Sequence, residues 1–360
     1  MKRDNHKTAP AESAEVEASS PRDHLTRRRT LLILGGLGAL VTVVAIGALG
    51  VGSERIGMGQ IAGAMQAQLL GSPSGLSPEL ETILFGLRLP RIGLAVGVGA
   101  ALALAGTAFQ AILRNPLADP YVLGISGGAA LGSIIAIMVF PSAPRSQTLG
   151  GLLGALVAMS IVYQLGRREE DPAHLVLAGI VISTLLSSVI VLLMALADTL
   201  QLRRITLWLL GDLSTGTAGG AIFVITSVLI SGAVLTAHSR ALNLMMIGEA
   251  DAEALGVETA RVRWVVYLAA SVLTAAAVAA GGAIGYVGLV VPHLIRLGAG
   301  ADNRLVIPAS ALGGALLVLV ADAIARTVIA PRELPTGAII ALIGAPTFLY
   351  LLVRRRRPGA

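Results

Sequence analysis

The chain has 360 residues, of which 55% are hydrophobic and only 13% are charged, and its mean hydropathy is +0.80. Soluble domains carry about 25% charged residues, so this composition excludes a protein whose whole surface faces water. The net charge of +6 does not indicate a nucleic-acid partner, because the arginines separate apolar segments and form no patch. Apolar stretches long enough to cross a bilayer as helices recur from Leu31 to Val353. The composition predicts an all-α integral membrane protein.

Two residue types limit the chemistry of the chain. Cysteine is absent, which excludes disulfides, iron–sulfur clusters and thiolate metal sites, and the five histidines lack the spacing of metal ligands. The only lysines, Lys2 and Lys7, lie near the N-terminus, so the phosphate-binding sequence G-x-x-x-x-G-K-[ST] cannot occur. We therefore predict no catalytic residue, no resident metal and no cofactor, and we assign any ATP chemistry to another polypeptide.

The polar ends of the chain set the limits of the membrane domain. Residues 1–29 are rich in Ala, Glu, Ser and charge and have no apolar periodicity, which predicts a disordered cytoplasmic tail. Three arginines end this tail, just before the apolar run 31–51. A cleaved signal peptide is the alternative, but its apolar core is shorter and a small-residue cleavage site follows it, so we favour a retained first helix. Residues 354–360 predict a basic cytoplasmic tail, which leaves 30–353 as the transmembrane domain.

Hydropathy predicts ten spans along the chain. Pro292 breaks the eighth span, and we expect neighbouring groups or water to satisfy the carbonyls that it frees. Apolar residues within 198–220 predict a further short helix at the outer surface. The spans are 31–51, 92–112, 121–140, 149–166, 175–197, 221–237, 264–282, 284–297, 306–329 and 337–353.

The placement of Arg and Lys predicts the orientation. With both ends inside, the inner loops and tails hold 19 of these residues and the outer segments hold 8. Positive residues favour the cytoplasmic side, so we predict an even number of spans with both termini cytoplasmic. Among the eight positive residues of the outer segments are three arginines that this preference does not explain: Arg88, Arg91 and Arg326.

Two spans carry patterns beyond hydropathy. Small residues repeat every four positions from Gly93 to Ala105, which predicts a ridge where backbones approach closely. The fifth span carries a strip of hydroxyl residues, which we expect to face either a partner helix or a wet pathway. The strip consists of Ser183, Thr184, Ser187 and Ser188.

Three stretches are more specific than hydropathy. Together they are similar to the FecCD family, the permeases of iron-siderophore, haem and vitamin B12 ABC importers, in the expected order from about residue 31 to residue 353. Asn303 and Tyr286 stand where that family usually has histidine and phenylalanine. The stretches are 88–91 with 114–129, then 242–257, and finally 282–296 with 321–326, 333–337 and 343–346.

The resemblance implies the fold of a type II ABC importer permease with about ten transmembrane helices. It also implies three kinds of partner: two ATP-binding subunits, a second permease copy or a paralogue, and a substrate-binding protein that is lipid-anchored or periplasmic. The dimer would lie in the cell (inner) membrane with its path along the two-fold axis. A homodimer and a heterodimer both remain open.

The outer arginines have two interpretations. In Arg88-Leu-Pro-Arg91 the proline would fix a helix entry while the guanidiniums project at the outer mouth, where they suit bidentate recognition of carboxylates. Interfacial anchoring of the second span is the alternative. The resemblance implies that Arg88, Arg91 and Arg326 receive acidic residues of the binding protein.

The inner loop after the sixth span predicts a surface helix of about two turns. Acidic residues alternate with alanine near its start, where the helix dipole favours them, and Gly256 suits its C-terminal end. A solvated loop helix is the alternative. The resemblance implies a coupling helix that docks on the ATP-binding subunit. Its candidate residues are Met245, Gly248, Glu249, Ala250, Glu253, Leu255 and Gly256.

The inner loop 169–174 precedes the fifth span, and the resemblance places it near a cytoplasmic gate. Here Asp171, Pro172 and Ala173 replace the small hydroxyl residues of the family. We take Asp171 and His174, with the hydroxyl strip, as candidates for the pathway or gate.

We expect the cargo to be a metal chelate. An aromatic content of 3% offers few rings to stack on a macrocycle, which favours a ferric siderophore over haem or cobalamin. An ion-coupled secondary transporter is the alternative from another class, and it would need ionisable residues inside its spans. Asp322 is the one candidate, and Arg326, four residues on, can pair with it on one helix face.

Overall fold

The computed structural model describes residues 26–52, 54–166 and 172–355, which form fifteen α-helices and no strand. Ten helices match the predicted spans: α1 (Arg27–Gly50), α4 (Leu89–Ile112), α5 (Ile125–Val139), α6 (Pro144–Gly166), α7 (Pro172–Leu196), α9 (Ala218–Ala237), α12 (Thr259–Gly281), α13 (Val287–Ala299), α14 (Asn303–Thr327) and α15 (Thr336–Arg355). The other five are α2 (Met58–Leu70), α3 (Pro78–Glu81), α8 (Thr199–Leu209), α10 (Ser239–Ile247) and α11 (Glu249–Ala254).

The predicted fold class is confirmed. In the described part, seven helices are long and apolar enough to cross a membrane, and three shorter apolar helices, α5, α13 and α15, complete the ten. α1 begins at Arg27, four residues before the predicted start, and Thr26 caps it by accepting a hydrogen bond from the Arg29 N–H. Residues 1–25 and 356–360 lie outside the described part, and so does most of each predicted tail.

α4 lies at the centre of the bundle and packs against α9, α12, α13 and α14. Pro90 is the second residue of α4, at the predicted helix entry, but this entry is not the start of the helical chain. The chain is already helical from Pro78, and a π-helical segment, Thr82–Arg88, leads into α4. Because a proline ring clashes with the carbonyl four residues before it, the wider π-helical turn lets the helix continue through Pro90.

Glycine pairs bring α4 into backbone contact with two neighbours. A Cβ on Gly99 would lie 2.2 Å from the Gly314 carbonyl oxygen of α14, and one on Gly106 would lie 1.9 Å from the Gly288 carbonyl oxygen of α13. The predicted ridge that begins at Gly93 faces α9 instead and meets side chains there. The sequence pattern therefore predicted close packing of α4 but not the two faces where it is closest.

The ends of three helices meet inside the bundle through irregular backbone. The Ala283 N–H donates to the Trp208 carbonyl at 3.2 Å, and the Gly337 N–H donates to the Gly211 carbonyl at 3.0 Å. Gly211 has a φ of +75°, which a residue with a Cβ rarely adopts. Buried non-helical backbone needs such internal partners, and these bonds tie α8 to the connections before α13 and α15.

The Gly106 contact gives a direct test of this packing. We expect Gly106→Ala to lower the apparent melting temperature of the detergent-solubilised protein, because its methyl group would overlap backbone that no rotamer change can move. Overpacking of this kind costs about 1–3 kcal/mol. Gly38→Ala is the matched control, since nothing lies within 4 Å of a Cβ at that helical glycine. Equal melting temperatures for the two variants would contradict the contact.

Candidate functional site

The two ends of α4 define two candidate sites on opposite faces of the bundle. With 24 residues, α4 is about 36 Å long. Arg91 in its first turn lies among buried charges, whereas Arg114, two residues beyond its end, contacts α11. We call the end with Arg91 the arginine face and the opposite end the α10–α11 face.

Asp322 is the centre of the arginine face, and its side chain is fully buried. Its Oδ1 accepts hydrogen bonds from Arg91 Nε at 2.9 Å and from Thr336 Oγ1 at 3.0 Å. Its Oδ2 lies 3.1 Å from Arg326 Nε, one turn further along α14. A buried carboxylate is stable only when it is paired, and this one joins α4, α14 and α15. The predicted pair of Asp322 with Arg326 is confirmed, and Arg91 is a second partner.

Two arginines hold the C-terminal end of α1. Arg88 donates from one Nη to the Leu49 carbonyl at 2.7 Å and from the other to the Glu54 carbonyl. Arg326 donates to the Ala48 carbonyl at 3.3 Å. The last carbonyls of a helix have no partner within the helix and carry partial negative charge. Arg88 and Arg326 therefore cap α1 and fix it to α4 and α14.

These contacts correct one part of the prediction. Arg88, Arg91 and Arg326 are only 5%, 7% and 6% exposed, so their guanidiniums do not project at an outer mouth. They turn inward because carbonyls and carboxylates of the same chain bind them. Glu333 is the accessible member of the cluster: its side chain is 44% exposed, and its Oε2 lies 2.5 Å from an Nη of Arg91. Docking of a binding protein on these arginines stays a prediction.

The α10–α11 face presents the predicted short surface helix as α11. Met245 of α10 and Ala252 of α11 are buried against the bundle, whereas Ile247 and Leu255 are among the most exposed apolar side chains of this face. Exposed apolar residues next to buried anchors are typical of a surface that a partner covers. Of the predicted coupling residues, Met245 is thus an anchor and Leu255 a contact candidate.

Acidic side chains tie α11 to its neighbours. Glu249 forms an ion pair with Arg263 of α12, and its Oε1 lies 3.6 Å from an Nη of Arg114. Glu253 accepts a hydrogen bond from Thr259 Oγ1 at 2.5 Å. Both predicted coupling residues therefore hold the segment in place, and the exposed Ala250 lies between them.

Two glycines, Gly248 and Gly256, lie on either side of α11, and they differ in whether the backbone conformation at that position needs glycine. Gly256 has a φ of +86°, and its N–H donates to the Glu253 carbonyl at 2.9 Å. This left-handed position just after a helix favours glycine, and the predicted helix end is confirmed. Gly248 is extended, and a Cβ there would meet only the flexible end of Asp251. Only the backbone conformation at position 256 therefore needs glycine.

A polar cluster that the sequence analysis missed links α10 to the start of α14. Asn243 Nδ2 donates to Asp302 Oδ1 at 2.8 Å, and Asn243 Oδ1 accepts from the Asn303 N–H at 2.9 Å. Partial burial opposes ionisation of Asp302, but hydrogen bonds from Arg304 and Asn243 hold the pKa of this carboxyl below its ordinary value. Asp302 is a recognisable N-cap, whereas its contact with Asn243 joins residues too distant in sequence to pair by pattern.

Gln110 supplies the donor that Pro292 lacks. Pro292 has no N–H for the Gly288 carbonyl, four residues earlier in α13, and Gln110 Nε2 donates to that oxygen at 3.2 Å. Arg296 of α13 in turn donates to Gln110 Oε1. The expectation that a neighbour satisfies the freed carbonyl is confirmed. The sequence does carry a signal for this contact: Gln110 is a polar residue within an apolar helix, and a buried side-chain amide almost always has a hydrogen-bond partner.

The hydroxyl strip lies mainly on an open side of α7. Ser183 is half-buried towards α5, and Thr184 and Ser188 donate back to carbonyls of their own helix at 2.9 and 3.0 Å. His174 is exposed in the first turn of α7, and Asp171 lies outside the described residues. The exposed members of the strip are Thr184, Ser187 and Ser188.

Known proteins are similar to this sequence over most of its length. The model of the FecCD transport family matches residues 40–354. The hemin transport system permease protein HmuU of Yersinia pestis is 40% identical over 332 residues, which are 90% of this chain and 96% of that protein. The vitamin B12 import system permease protein BtuC of Vibrio vulnificus is 40% identical over 295 residues, which are 81% of this chain and 88% of that protein.

A solved structure shares the fold. It is described as an inward-facing conformation of a metal-chelate type ABC transporter, and it matches with a TM-score of 0.79 and 33% identity over 89% of this chain and 99% of that one. Helices of both candidate faces lie within the range matched by the family model. The chain is a multi-pass membrane permease of the ABC importer type, and it belongs to the FecCD transport family.

Proposed function

We propose that this chain imports a metal chelate, specifically a ferric siderophore, into the cytoplasm and uses ATP hydrolysed by separate partner subunits. One observation carries the proposal: the same central helix contacts a buried charge cluster at one end and α11 at the other. A helix that contacts both faces can transmit a conformational change from one face to the other. The chain performs no covalent step in this scheme.

A substrate-binding protein docks on the arginine face in this proposal. The half-exposed carboxylate of Glu333, which contacts Arg91, supports the recognition of carboxylates at this face. One Nη of Arg91 has no hydrogen-bond partner among the described residues, but it is buried, so a second carboxylate can bond there only after docking displaces the loop that carries Glu333. Arg88 and Arg326 hold backbone carbonyls and thus position the site.

The α10–α11 face receives the ATP-binding subunits. Its exposed Ile247 and Leu255 supply apolar contact area, while Glu249 connects α11 to α12 and to the end of α4. Displacement of α11 by a partner would therefore act directly on two helices of the bundle. In this scheme the α10–α11 face is cytoplasmic, both termini are cytoplasmic, and the protein lies in the inner membrane.

A second permease copy or a paralogue completes the pathway. α7 has one of the least buried apolar surfaces of the described spans, with 17% of its apolar window inside the chain, and it carries the hydroxyl strip. Hydroxyls gain little from facing lipid, so the strip suits a surface shared between two copies or a wet path between them. Two permeases and two ATP-binding subunits would then form the transporter.

The cargo is the most specific part of the proposal. Relatives with the same 40% identity are named for hemin and for vitamin B12, so overall identity does not select the chelate. The chain has only two tryptophans, and Trp208 is buried. Few rings are thus available to stack on a macrocycle, which favours a siderophore over the alternatives, haem and cobalamin.

Transport by the assembled complex tests the proposal as a whole. We expect proteoliposomes that contain ATP and receive the loaded binding protein to accumulate an iron-labelled siderophore, with no effect of an uncoupler. The control omits ATP and should show no uptake. Uptake that an uncoupler abolishes would instead indicate an ion-coupled transporter, and a binding protein that holds haem or cobalamin would replace the siderophore as cargo.

Docking is tested by Arg91→Lys. The lysine keeps a positive charge beside Asp322 but loses the fork that binds two carboxylates. We expect the affinity for the substrate-binding protein to fall roughly tenfold, the equivalent of one charged hydrogen bond. This affinity is measured by surface plasmon resonance with the transporter embedded in nanodiscs.

Arg203→Lys, at an exposed arginine of α8, is the matched control and should bind as the wild type does. A substitution to glutamate at Arg88 is unsuitable, because a carboxylate there would face the carbonyls that cap α1. If Arg91→Lys lowers the melting temperature and leaves docking unchanged, Arg91 has a structural role only.

Coupling is tested at the two glycines around α11. We expect the double variant Gly248→Ala/Gly256→Val to dock the binding protein normally and to hydrolyse ATP while its uptake falls to background. A branched side chain at φ +86° costs roughly 1–2 kcal/mol and should displace the end of α11. Gly248→Ala alone is the control and should transport normally. Coupled uptake by the double variant would remove the assignment.

A further inference from the structure

A cavity of about 470 Å³ opens on the α10–α11 face between the end of α9, α10 and the start of α12. It adjoins the predicted coupling segment, because Gly256 and Val257 form part of its wall. No step in the proposed transport cycle uses it. The complete lining is His238, Ala241, Gly256, Val257, Glu258, Arg261, Val262 and Val265.

The wall of this cavity changes from charged to apolar along α12. Glu258 and Arg261 stand at the start of the helix with side chains 76% and 77% exposed, whereas Val262 and Val265 follow one turn later and are largely covered. A ligand that complements this wall needs a polar head and an apolar tail. Phospholipids have this character.

Trp264 indicates where the cavity lies relative to the bilayer. This side chain is 46% exposed on α12, between Arg261 and Val265 in sequence, and Tyr163 lies with it beside a smaller cavity between α6 and α12. Exposed tryptophan and tyrosine collect at the level of lipid headgroups. Arg261 is therefore placed at the headgroup level and Val265 at the start of the hydrocarbon.

The charges favour an anionic headgroup. Arg261 is 3.7 Å from Glu258, longer than a hydrogen bond, so its guanidinium keeps donors for a phosphate. Arg240, exposed and adjacent in sequence to the lining residue Ala241, adds a second positive charge. His238 Nδ1 lies 2.8 Å from the Val234 carbonyl, which places the proton there and leaves Nε2 as an acceptor for a headgroup hydroxyl.

We propose that this cavity binds one anionic phospholipid. Arg261 contacts its phosphodiester, Arg240 adds a positive charge nearby, and an acyl chain follows Val262 and Val265 into the bilayer. Basic pockets between helices at the membrane surface bind anionic headgroups in this way. The lipid would also rest against Gly256 and Val257, at the end of the predicted coupling segment. The proposal depends on the membrane placement of the chain and not on its cargo.

Because Trp264 lines the smaller neighbouring cavity, the test places a tryptophan in the wall of the proposed lipid cavity and measures its quenching by brominated lipid. In a Trp208→Phe/Trp264→Phe background, the substitution Val265→Trp supplies the only tryptophan, in the apolar part of the cavity wall. We expect brominated phosphatidylglycerol to compete about fivefold better than brominated phosphatidylcholine for the site beside it, the factor that one basic residue near an anionic surface contributes. The measurement uses the isolated permease and the assembled transporter, each in mixed vesicles.

Arg261→Glu should remove the preference for phosphatidylglycerol, and Arg261→Gln should reduce it, because both substitutions lie at an exposed position that folding does not require. Arg203→Glu, the same charge change at an exposed arginine of α8, is the matched control and should leave the preference unchanged. Equal quenching by the two lipids in the wild type, or an unchanged preference in Arg261→Glu, would overturn the proposal.

Two further measurements distinguish a bound lipid from other occupants of the cavity. An excess of inorganic phosphate should leave the preference unchanged; its loss would show a site for free anions and overturn the assignment to lipid. The preference should also persist in the assembled transporter. If it appears only in the isolated permease, the ATP-binding partner covers this cavity, and the lipid assignment is wrong.

Discussion

The fully buried carboxylate of Asp322 is the constraint on which the arginine face depends. An ionised carboxylate inside a membrane bundle must be neutralised, and removing one partner of such a pair typically costs about 3–5 kcal/mol. Arg91 and Arg326 supply the charge, and Thr336 supplies a further hydrogen bond. Because these residues come from α4, α14 and α15, a single buried charge determines how three helices meet.

The same arginines also reach beyond the carboxylate. Arg326 and Arg88 bind carbonyls at the end of α1, so the first span is held at this face by side chains of two others. At the other end of α4, Glu249 brings together Arg114 and Arg263 in a smaller and more exposed cluster. Between the two clusters, α4 touches α13 and α14 through bare backbone, which allows no adjustment by rotamers. The central helix is thus fixed at both ends and along its length.

Much of this could be predicted from local patterns. The ten spans, the short helix α11 and the glycine at its end follow from hydropathy and capping rules, which depend on residues close in sequence. The direction of Arg88 and Arg91 could not be predicted in this way. Whether an arginine points outward or inward depends on which acceptors the fold brings near it, and Asp322 lies 231 residues from Arg91.

The contacts that the sequence analysis missed have the same cause. Asn243 in the middle of α10 and Asp302 at the start of α14 carry no sequence signal of a contact, and only the packing of α10 beside α14 makes them a pair. The cavity beside α12 likewise requires three separate elements to enclose it. By contrast, Glu333 lies in 333–337, one of the stretches similar to the FecCD family, but its contact with Arg91 depends on how the loop before α15 folds back.

The bond between Gln110 and the Gly288 carbonyl makes one residue conditional on another. The amide of Gln110 replaces, from a neighbouring helix, the single N–H that Pro292 cannot provide. In a chain with alanine at position 292, the N–H of that residue would donate to the Gly288 carbonyl, and the hydrogen bond from Gln110 would no longer be needed. The two positions are therefore epistatic: a substitution at position 110 that is harmful beside proline becomes milder once the proline is gone. The order in which the two changes occur then decides which sequences can be reached through stable intermediates.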